Sequence, residues 1–384
     1  MKYFLTLIQL WVGFLSICAS YPKANIWIIP SVESPQVYRN YAQTSKVHLE
    51  MARGEVEHIQ LVFPSKVNEE YRFTFDRYLK GIQISARELK KMNGYYDALV
   101  PFKNQLKCTD TLTAVWITVQ CPSRVPVGKY HQTIKIEGSK HFTIQLDYNV
   151  HHTTIPLKSS IPITVGVENR CMTECLNDKE ADKERQRWVD FVLSYRMTPV
   201  FGTQITPERW QYEHSFSPWA WNDKRSIRLL NDRRYSCYML PFFTLSENEL
   251  ASLLCNIQKK GKLKESLFYI WDEPAYMEDY EQIKRKVNII RKYASDARIL
   301  TTFFCGPRNG PRKGDLYAVF DYLKHHIHVA TISLAPCKGN EEEVQHIRYK
   351  VPEGIDWWSY VCWQPGGNEP NFLLQMKGIQ QRAT

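Results

Sequence analysis

The stretch SLFYIWDEPAYMEDYEQIKRKVNIIRKYA, residues 266–294, decides how the second part of the chain is interpreted. Residues 267–271 form an apolar run of the length of a buried strand, and from about residue 278 apolar side chains recur at helical spacing. Two adjacent carboxylates, Asp272 and Glu273, stand between these two parts, followed by Pro274. A strand, an acidic turn and a helix in succession indicate one β/α unit of a parallel sheet.

The same alternation of strand and helix recurs seven times after residue 156. The predicted strands are 161–168, 198–203, 236–243, 266–271, 298–304, 327–334 and 356–363. The predicted helices are 179–197, 224–233, 246–260, 278–294, 314–326, 340–350 and 370–383, and Ser246 with Glu249 is the signature of a capping box. This series predicts a (β/α)8-type TIM barrel at residues 156–384. Because it supplies seven units and a closed barrel needs eight, we expect a barrel that is incomplete at its carboxy terminus.

Residues 21–155 follow a different pattern. Short runs rich in β-branched and aromatic residues alternate with turn signals, and only 86–92 is interpreted as a short helix. Many short strands at this spacing predict an antiparallel β-sandwich. The expected whole is therefore a multidomain α and β protein, in which a β-sandwich precedes the barrel.

The first 20 residues predict a signal peptide. Lys2 is followed by an apolar stretch at 4–17 and by small residues at 18–20, where a signal peptidase would cut. We therefore expect a secreted, periplasmic or cell-surface protein. Lipoprotein anchoring at Cys18 is the alternative, which the bulky Ile17 disfavours. No second apolar stretch is long enough to predict a membrane span.

The amino-acid composition limits which binding partners we expect. The formal net charge is +10, but the basic residues are scattered, so we expect no nucleic-acid partner. No cysteine or histidine spacing matches a metal site, and no cofactor or metal is predicted. The chain contains 11 Trp and 22 Tyr, whose rings suit sugars as well as a protein core. The sequence leaves the oligomeric state open.

The acid pair admits two interpretations. In a barrel the chemistry lies at the carboxyl ends of the strands, and Pro274 should hold Glu273 extended so that it projects into the loop. Alternatively, Asp272 and Glu273 only stabilise the start of the next helix. Glu278 and Asp279 already supply acids at that start. Both interpretations remain open on the pattern alone.

Several short motifs resemble a known family. YIWDEP, ARILTTFFCGP and WWSYVCWQPGGNEPNF are similar to motifs of the glycoside hydrolase family 123 catalytic domain and its uncharacterised relatives. ARGEVEHIQLVF, YYDALVPF and VWITVQCPSRVPVGKYHQTIKIEG resemble the β-sandwich that precedes that domain. The resemblance covers nearly all of the chain after residue 20. The motifs are short, and their shared order makes the resemblance specific.

The resemblance implies an exo-acting, retaining N-acetyl-β-galactosaminidase, in which the 2-acetamido oxygen of the substrate attacks the anomeric carbon to form an oxazoline. Asp272 would orient and polarise the acetamido group. Glu273 would protonate the leaving oxygen and then act as a base toward water. Ordinary retaining enzymes place two carboxyl groups about 5–5.5 Å apart on opposite faces of the sugar. An adjacent pair suits a substrate that brings its own nucleophile.

Further residues are candidates for substrate binding. They flank the acid pair, lie in a tryptophan-rich loop, or end other predicted strands: Tyr269, Trp271, Trp219, Trp221, Trp357, Trp358, Glu168 and Gln204. Packing in the core is the alternative for each aromatic residue. The sequence thus predicts an exported glycoside hydrolase that removes terminal N-acetylhexosamine, with β-N-acetylgalactosamine favoured. The alternatives are a non-catalytic carbohydrate-binding or surface protein on the same scaffold, or an inactive truncated product.

Overall fold

The computed structural model describes residues 25–76, 81–92, 94–168, 170–206, 211–274, 276–303, 322–333, 349 and 353–360. These residues fall into two compact units that divide between Ile155 and Pro156. The predicted signal peptide, residues 1–20, lies outside the described residues.

The first unit contains ten strands and a short 3-10 helix, Pro35–Asn40. The strands are β1 (Trp27–Pro30), β2 (Lys46–Arg53), β3 (Glu55–Pro64), β4 (Glu70–Phe75), β5 (Gln83–Met92), β6 (Tyr95–Pro101), β7 (Gln105–Lys107), β8 (Leu112–Cys121), β9 (Gly128–Glu137) and β10 (His141–Thr154). They form two five-stranded sheets, in the orders β1-β3-β8-β5-β6 and β2-β10-β9-β4-β7. All pairs are antiparallel except β2 with β10.

A single apolar core joins these two sheets. Alternate residues of β9 are buried, including Ile134 and Ile136, and they share a cluster with Leu61 of β3 and Ile117 of β8. Because strand side chains alternate between faces, this alternation places the apolar set between the sheets and the polar set in solvent. The unit is therefore built as a β-sandwich.

The helix expected at 86–92 is wrong, because these residues belong to β5. Arg87 pairs with Pro101 of β6 and with Trp116 of β8, so the segment is hydrogen bonded on both sides. Ala86, Glu88, Leu89 and Lys90 are acceptable helix formers, but pairing with two neighbouring strands overrides local propensity.

The second unit contains eight strands and five helices among the described residues. The strands are β11 (Thr164–Glu168), β12 (Thr198–Thr206), β13 (Gln211–Ser215), β14 (Tyr238–Met239), β15 (Ser266–Trp271), β16 (Arg298–Phe303), β17 (Val329–Ser333) and β18 (Asp356–Tyr360). The helices are α1 (Arg170–Cys175), α2 (Asp178–Ser194), α3 (Lys224–Leu229), α4 (Glu247–Lys259) and α5 (Met277–Arg291), with a 3-10 turn at Leu263–Glu265. Ser246 and Glu249 form the predicted capping box of α4.

The prediction of a (β/α)8-type TIM barrel is wrong. Strands account for 44% of the structure, whereas only three of the five described helices reach seven residues. The described strands of this unit form two separate sheets, β11-β12-β13 and β14-β15-β16-β17-β18. After β12 the chain returns as β13, and Phe201 pairs antiparallel with Ser215. This return strand lies where the sequence predicted a tryptophan-rich loop, and an antiparallel hairpin has no place in a strictly parallel barrel.

The five-stranded sheet is parallel throughout, and its strands β14 to β17 are buried on both faces, whereas β18 at the edge is partly exposed. One face packs with the helices, through residues such as Phe268 and Ile299. The other face carries a smaller apolar cluster that includes Leu267, Leu300 and Val329. Burial on both faces explains why these strands read as continuous apolar runs instead of alternating ones.

The predicted helix at 314–326 lies largely outside the described residues, as do those at 340–350 and 370–383. Among the described residues, no helix combines the length and the apolar character that crossing a membrane requires.

Candidate active site

The acid pair lies at the carboxyl edge of the parallel sheet. Asp272 and Glu273 directly follow β15, and both side chains are half-buried. Glu273 has a φ of +47°, in the left-handed region that residues other than glycine rarely adopt. The extended conformation expected for Glu273 before Pro274 is therefore wrong. This sharp turn at Glu273, not an extended loop, redirects the chain between the two acids.

Two hydroxyl groups bind Asp272. The Tyr269 hydroxyl donates to Asp272 Oδ1 at 2.7 Å, and the Thr302 hydroxyl donates to the same oxygen at 2.8 Å. The two hydroxyl oxygens lie 2.9 Å apart. Tyr269 comes from β15 and Thr302 from β16, so neighbouring strands fix the carboxylate together. Hydrogen bonds to a charged acceptor are the stronger kind, so this carboxylate is well oriented.

Glu273 is held by different groups. Its backbone N–H donates to Thr302 Oγ1 at 3.0 Å, which supports the unusual backbone turn. Its Oε1 accepts a hydrogen bond from the hydroxyl of Tyr360, at the end of β18. Thr302 therefore contacts both members of the pair, whereas each carboxyl group has a tyrosine of its own.

A histidine from the three-stranded sheet packs behind this network. The rings of His214 and Tyr269 have centroids 4.1 Å apart and are inclined at 59°. Burial lowers the pKa of His214 to about 4, and the nearby Asp272 only partly opposes this effect. His214 is therefore neutral at pH 7, and it supports the Tyr269 ring without adding charge.

The candidate tryptophans near the acid pair lie on different faces of the parallel sheet. Trp271 is buried on the helix side, where Lys286 Nζ lies 5.9 Å from its ring centroid. Trp357 packs on that same side. Trp358 packs on the opposite face, in the cluster that Tyr269 also joins. Of these aromatic candidates, Tyr269 and Trp358 thus lie on the face that carries the partners of Asp272.

The loop tryptophans have structural partners. The Trp219 indole N–H donates to Asp182 Oδ1 at 3.0 Å, and the Arg225 guanidinium lies 4.5 Å from the ring centroid. Trp221 is half-buried against the helix-side core. These contacts tie the loop to α2, and none of them involves the acid pair.

Glu168 ends β11 and Gln204 lies in β12, and both side chains are exposed. Their role in substrate binding stays a prediction, as do the roles of the acids themselves.

Four residues of the site were not singled out from the sequence: Thr302, Tyr360, His214 and Ser333. Ser333 ends β17, pairs in register with Tyr360, and is hydrogen bonded to it through its side chain. One signal was available, because Thr302, Ser333 and Tyr360 each stand near the end of a predicted strand. Parallel strands bring such ends to one edge. His214 gave no such signal, since its strand was read as a loop.

The arrangement can hold two carboxyl groups side by side with distinct orientations, at the edge of a parallel sheet where ligands commonly bind. Within the described ranges, no three His, Cys, Asp or Glu side chains come together in a way that could hold a metal ion.

The fold of this chain resembles a solved structure closely enough for the likeness to be informative. A family 123 glycoside hydrolase from Clostridium perfringens, studied for hydrolysis of glycolipid glycans, superimposes with a TM-score of 0.57 at 11% identity. The alignment covers 91% of this chain and 74% of that chain. At this identity, the match shows a shared fold.

Weaker matches include a glycosyl hydrolase family 2 member from Bacteroides cellulosilyticus, with a TM-score of 0.32, 11% identity and coverage of 87% and 41% of the two chains. An FMN-binding β-glucuronidase from Facaelibacterium prausnitzii superimposes with a TM-score of 0.31 at 10% identity, and the alignment covers 82% of this chain and 46% of that chain. Neither superposition is close enough to support an argument. No protein-family profile and no curated protein matches the sequence.

Proposed function

We propose that this protein is an exported glycoside hydrolase that removes terminal N-acetylhexosamine, with β-N-acetylgalactosaminides as the favoured substrates. The observation that carries the proposal is the adjacent pair Asp272 and Glu273 at the carboxyl edge of the sheet, each carboxyl group held by its own tyrosine. The fold shared with a family 123 glycoside hydrolase supports it. Export would depend on residues 1–20.

The two acids would have separate tasks. Asp272 is fixed through Oδ1 by two hydroxyl donors, which suits a group that orients an acetamido group and stabilises the charge on it. The acetamido oxygen would attack the anomeric carbon, forming an oxazoline while the bond to the leaving oxygen breaks. Glu273 would give its proton to that oxygen. It would then take a proton from water as the oxazoline opens, which retains the configuration.

The adjacency of the pair favours this mechanism over a protein nucleophile. Two carboxyl groups that straddle a sugar ring usually come from different strands. Here both follow β15 directly, so they approach a bound ring from one edge of the sheet. A nucleophile supplied by the substrate removes the need for a carboxylate on the opposite face.

The test compares Asp272→Asn and Glu273→Gln with the native chain on two substrates, methyl and 4-nitrophenyl β-N-acetylgalactosaminide. Glu273→Gln should lose about 100- to 10,000-fold in turnover on the methyl glycoside and far less on the activated one, which needs little protonation. Asp272→Asn should slow both substrates, because its task does not depend on the leaving group.

The first sugar product, followed by NMR, should be the β-anomer. Hydrolysis with inversion would exclude the substrate-assisted mechanism. Binding of N-acetylgalactosamine without turnover by the native chain would favour the non-catalytic alternative. Equal losses for both variants on both substrates would argue against the separate tasks.

A further inference from the structure

The contact between Tyr360 and Glu273 crosses most of the parallel sheet. β18 lies three strands from β15 in the order β14-β15-β16-β17-β18. Neighbouring strands are about 4.8 Å apart, so a flat sheet would separate these two by about 14 Å. The Tyr360 hydroxyl nevertheless donates to Glu273 Oε1. The two long side chains therefore reach toward each other across the edge of the sheet, past the ends of β16 and β17.

The Tyr360 side chain is itself held by neighbouring residues of β17 and β18. Ser333 pairs with it in register, is 2% exposed, and is hydrogen bonded to the phenol through its side chain. Trp358, two residues earlier, packs on the same face. The phenol is thus supported by a buried hydroxyl and by its own strand before it reaches Glu273.

Toward Glu273 the phenol serves as the donor. Burial, and then the neighbouring Glu273 carboxylate, raise the pKa of Tyr360 well above its ordinary value. It therefore keeps its proton at any pH at which the protein works. A neutral donor of fixed position orients a carboxyl group without adding a charge that would compete with the substrate.

Glu273 and Asp272 are held by different groups. Asp272 is bound by two side chains from its own and the next strand. Glu273 stands on a strained turn, where its φ is +47°, and Thr302 supports only its backbone. A general acid must deliver its proton along a defined direction, and misplacement by about 1 Å can cost about 100-fold in rate.

We propose that Tyr360 is the positioning residue for Glu273, holding its carboxyl group in the orientation from which it passes a proton to the leaving oxygen. This inference rests on the proposed function. The alternative role of the contact is structural, as a tie between the end of β18 and the turn after β15. The two roles differ in how the loss of the hydroxyl depends on the leaving group.

The experiment replaces Tyr360 with Phe in the full chain and measures kcat/KM on the same two substrates. Tyr360→Phe should lose about 10- to 100-fold on methyl β-N-acetylgalactosaminide and less than about threefold on the 4-nitrophenyl glycoside. A merely structural tie would lower both values by the same factor. Such an equal loss, or no loss, would overturn the proposal.

The chain offers a matched control. The Tyr293 hydroxyl donates to Glu247 Oε2 at 2.8 Å on an exposed part of the same unit. Tyr293→Phe removes the same kind of hydrogen bond and should leave kcat/KM unchanged on both substrates. If Tyr360→Phe does not fold, Ser333→Ala withdraws the support of the phenol and should lose about 2- to 10-fold on the methyl glycoside alone.

A crystal structure of Tyr360→Phe separates this inference from the proposed function. Glu273 should occupy one rotamer in the native protein and in Tyr293→Phe, and more than one rotamer in Tyr360→Phe. If the native chain hydrolyses neither substrate, the proposed function fails, and the rotamers still decide whether Tyr360 orients Glu273. An unchanged Glu273 rotamer in Tyr360→Phe would overturn the inference whatever the activity.

Discussion

The core of the sandwich differs in composition from the face of the parallel sheet that carries Leu267 and Leu300. In the sandwich, β9 and β10 send apolar side chains inward along most of their length, as at Ile134, Ile144 and Leu146. On the face of the parallel sheet that carries Leu267 and Leu300, the character changes along the strand. The next residues on that face, Tyr269 and Thr302, bear hydroxyl groups.

This difference separates residues that stabilise from residues that orient. A buried hydroxyl gains little net free energy, because its hydrogen bond in the protein replaces one to water. An apolar side chain gains about 25 cal/mol for each Å² removed from water. We call the hydroxyl groups of Tyr269 and Thr302 the hydroxyl layer. Their hydrogen bonds to Asp272 and to the Glu273 backbone explain this layer better than the stability it adds.

The largest effect that would sharpen this contrast is in the sandwich. Phe73 is 1% exposed, and its ring centroid lies 5.0 Å from that of Phe102. Phe73→Ala should lower the free energy of unfolding of this unit by about 3–5 kcal/mol, since it leaves a cavity that the core fills only partly. Calorimetry that resolves the two units would measure the change. Turnover per folded molecule should be unchanged, and a fall in kcat of the folded variant would break the contrast.

The sequence was most informative where periodicity was strong. The pattern around α4 and α5 predicted both helices, and Ser246 with Glu249 predicted the start of α4. Strand patterns before residue 155 predicted a sandwich, because a strand with one buried face alternates apolar and polar residues along its sequence. The run at 266–271 predicted β15, with the two acids directly after it.

The sequence was least informative where long-range pairing decides. β13 is a five-residue return strand whose polar composition does not distinguish it from a loop, so the parallel barrel was predicted instead. The site shows the same limit. Tyr360 is 87 residues from Glu273 along the chain, and only the pairing of β15 to β18 in one parallel sheet brings them together. The turn at Glu273 also departs from the usual conformation of a residue before proline.

The second effect concerns the acid side of the stability curve. The pKa of His214 is about 4 when folded, against an ordinary value of 6.5. Between these values the unfolded chain binds a proton that the folded one does not, so stability falls as pH drops from about 6.5 to about 4, by at most about 3 kcal/mol. Below about 4 both states are protonated, and this loss stops.

His214→Phe tests this pH dependence. A phenylalanine can keep the contact with Tyr269 but cannot titrate, so the unit that contains β13 should lose less stability between pH 6.5 and pH 4 than the native protein does. Denaturant unfolding at several pH values would measure the difference. An identical slope in the two proteins would show that His214 does not carry the effect.

The smallest effect in free energy is the one most specific to the parallel sheet. The Thr302 hydroxyl donates to Asp272 Oδ1 at 2.8 Å and accepts the Glu273 backbone N–H at 3.0 Å. Thr302→Val keeps the shape of the side chain but removes the hydroxyl, so both acids lose a shared support. We expect kcat to fall by about 10- to 100-fold, or about 1.4 to 2.7 kcal/mol of transition-state stabilisation.

The sandwich supplies the matched control for this change. Thr113 is 4% exposed, and its hydroxyl lies 2.7 Å from that of Ser65. Thr113→Val therefore removes a buried hydroxyl together with its hydrogen bonds, as Thr302→Val does, but in the first unit. It should lower the free energy of unfolding by about 1 kcal/mol and leave kcat unchanged. If both variants lose the same stability and only Thr302→Val loses turnover, the hydroxyl layer orients the acids. If Thr302→Val loses stability alone, that layer is packing like the rest of the core.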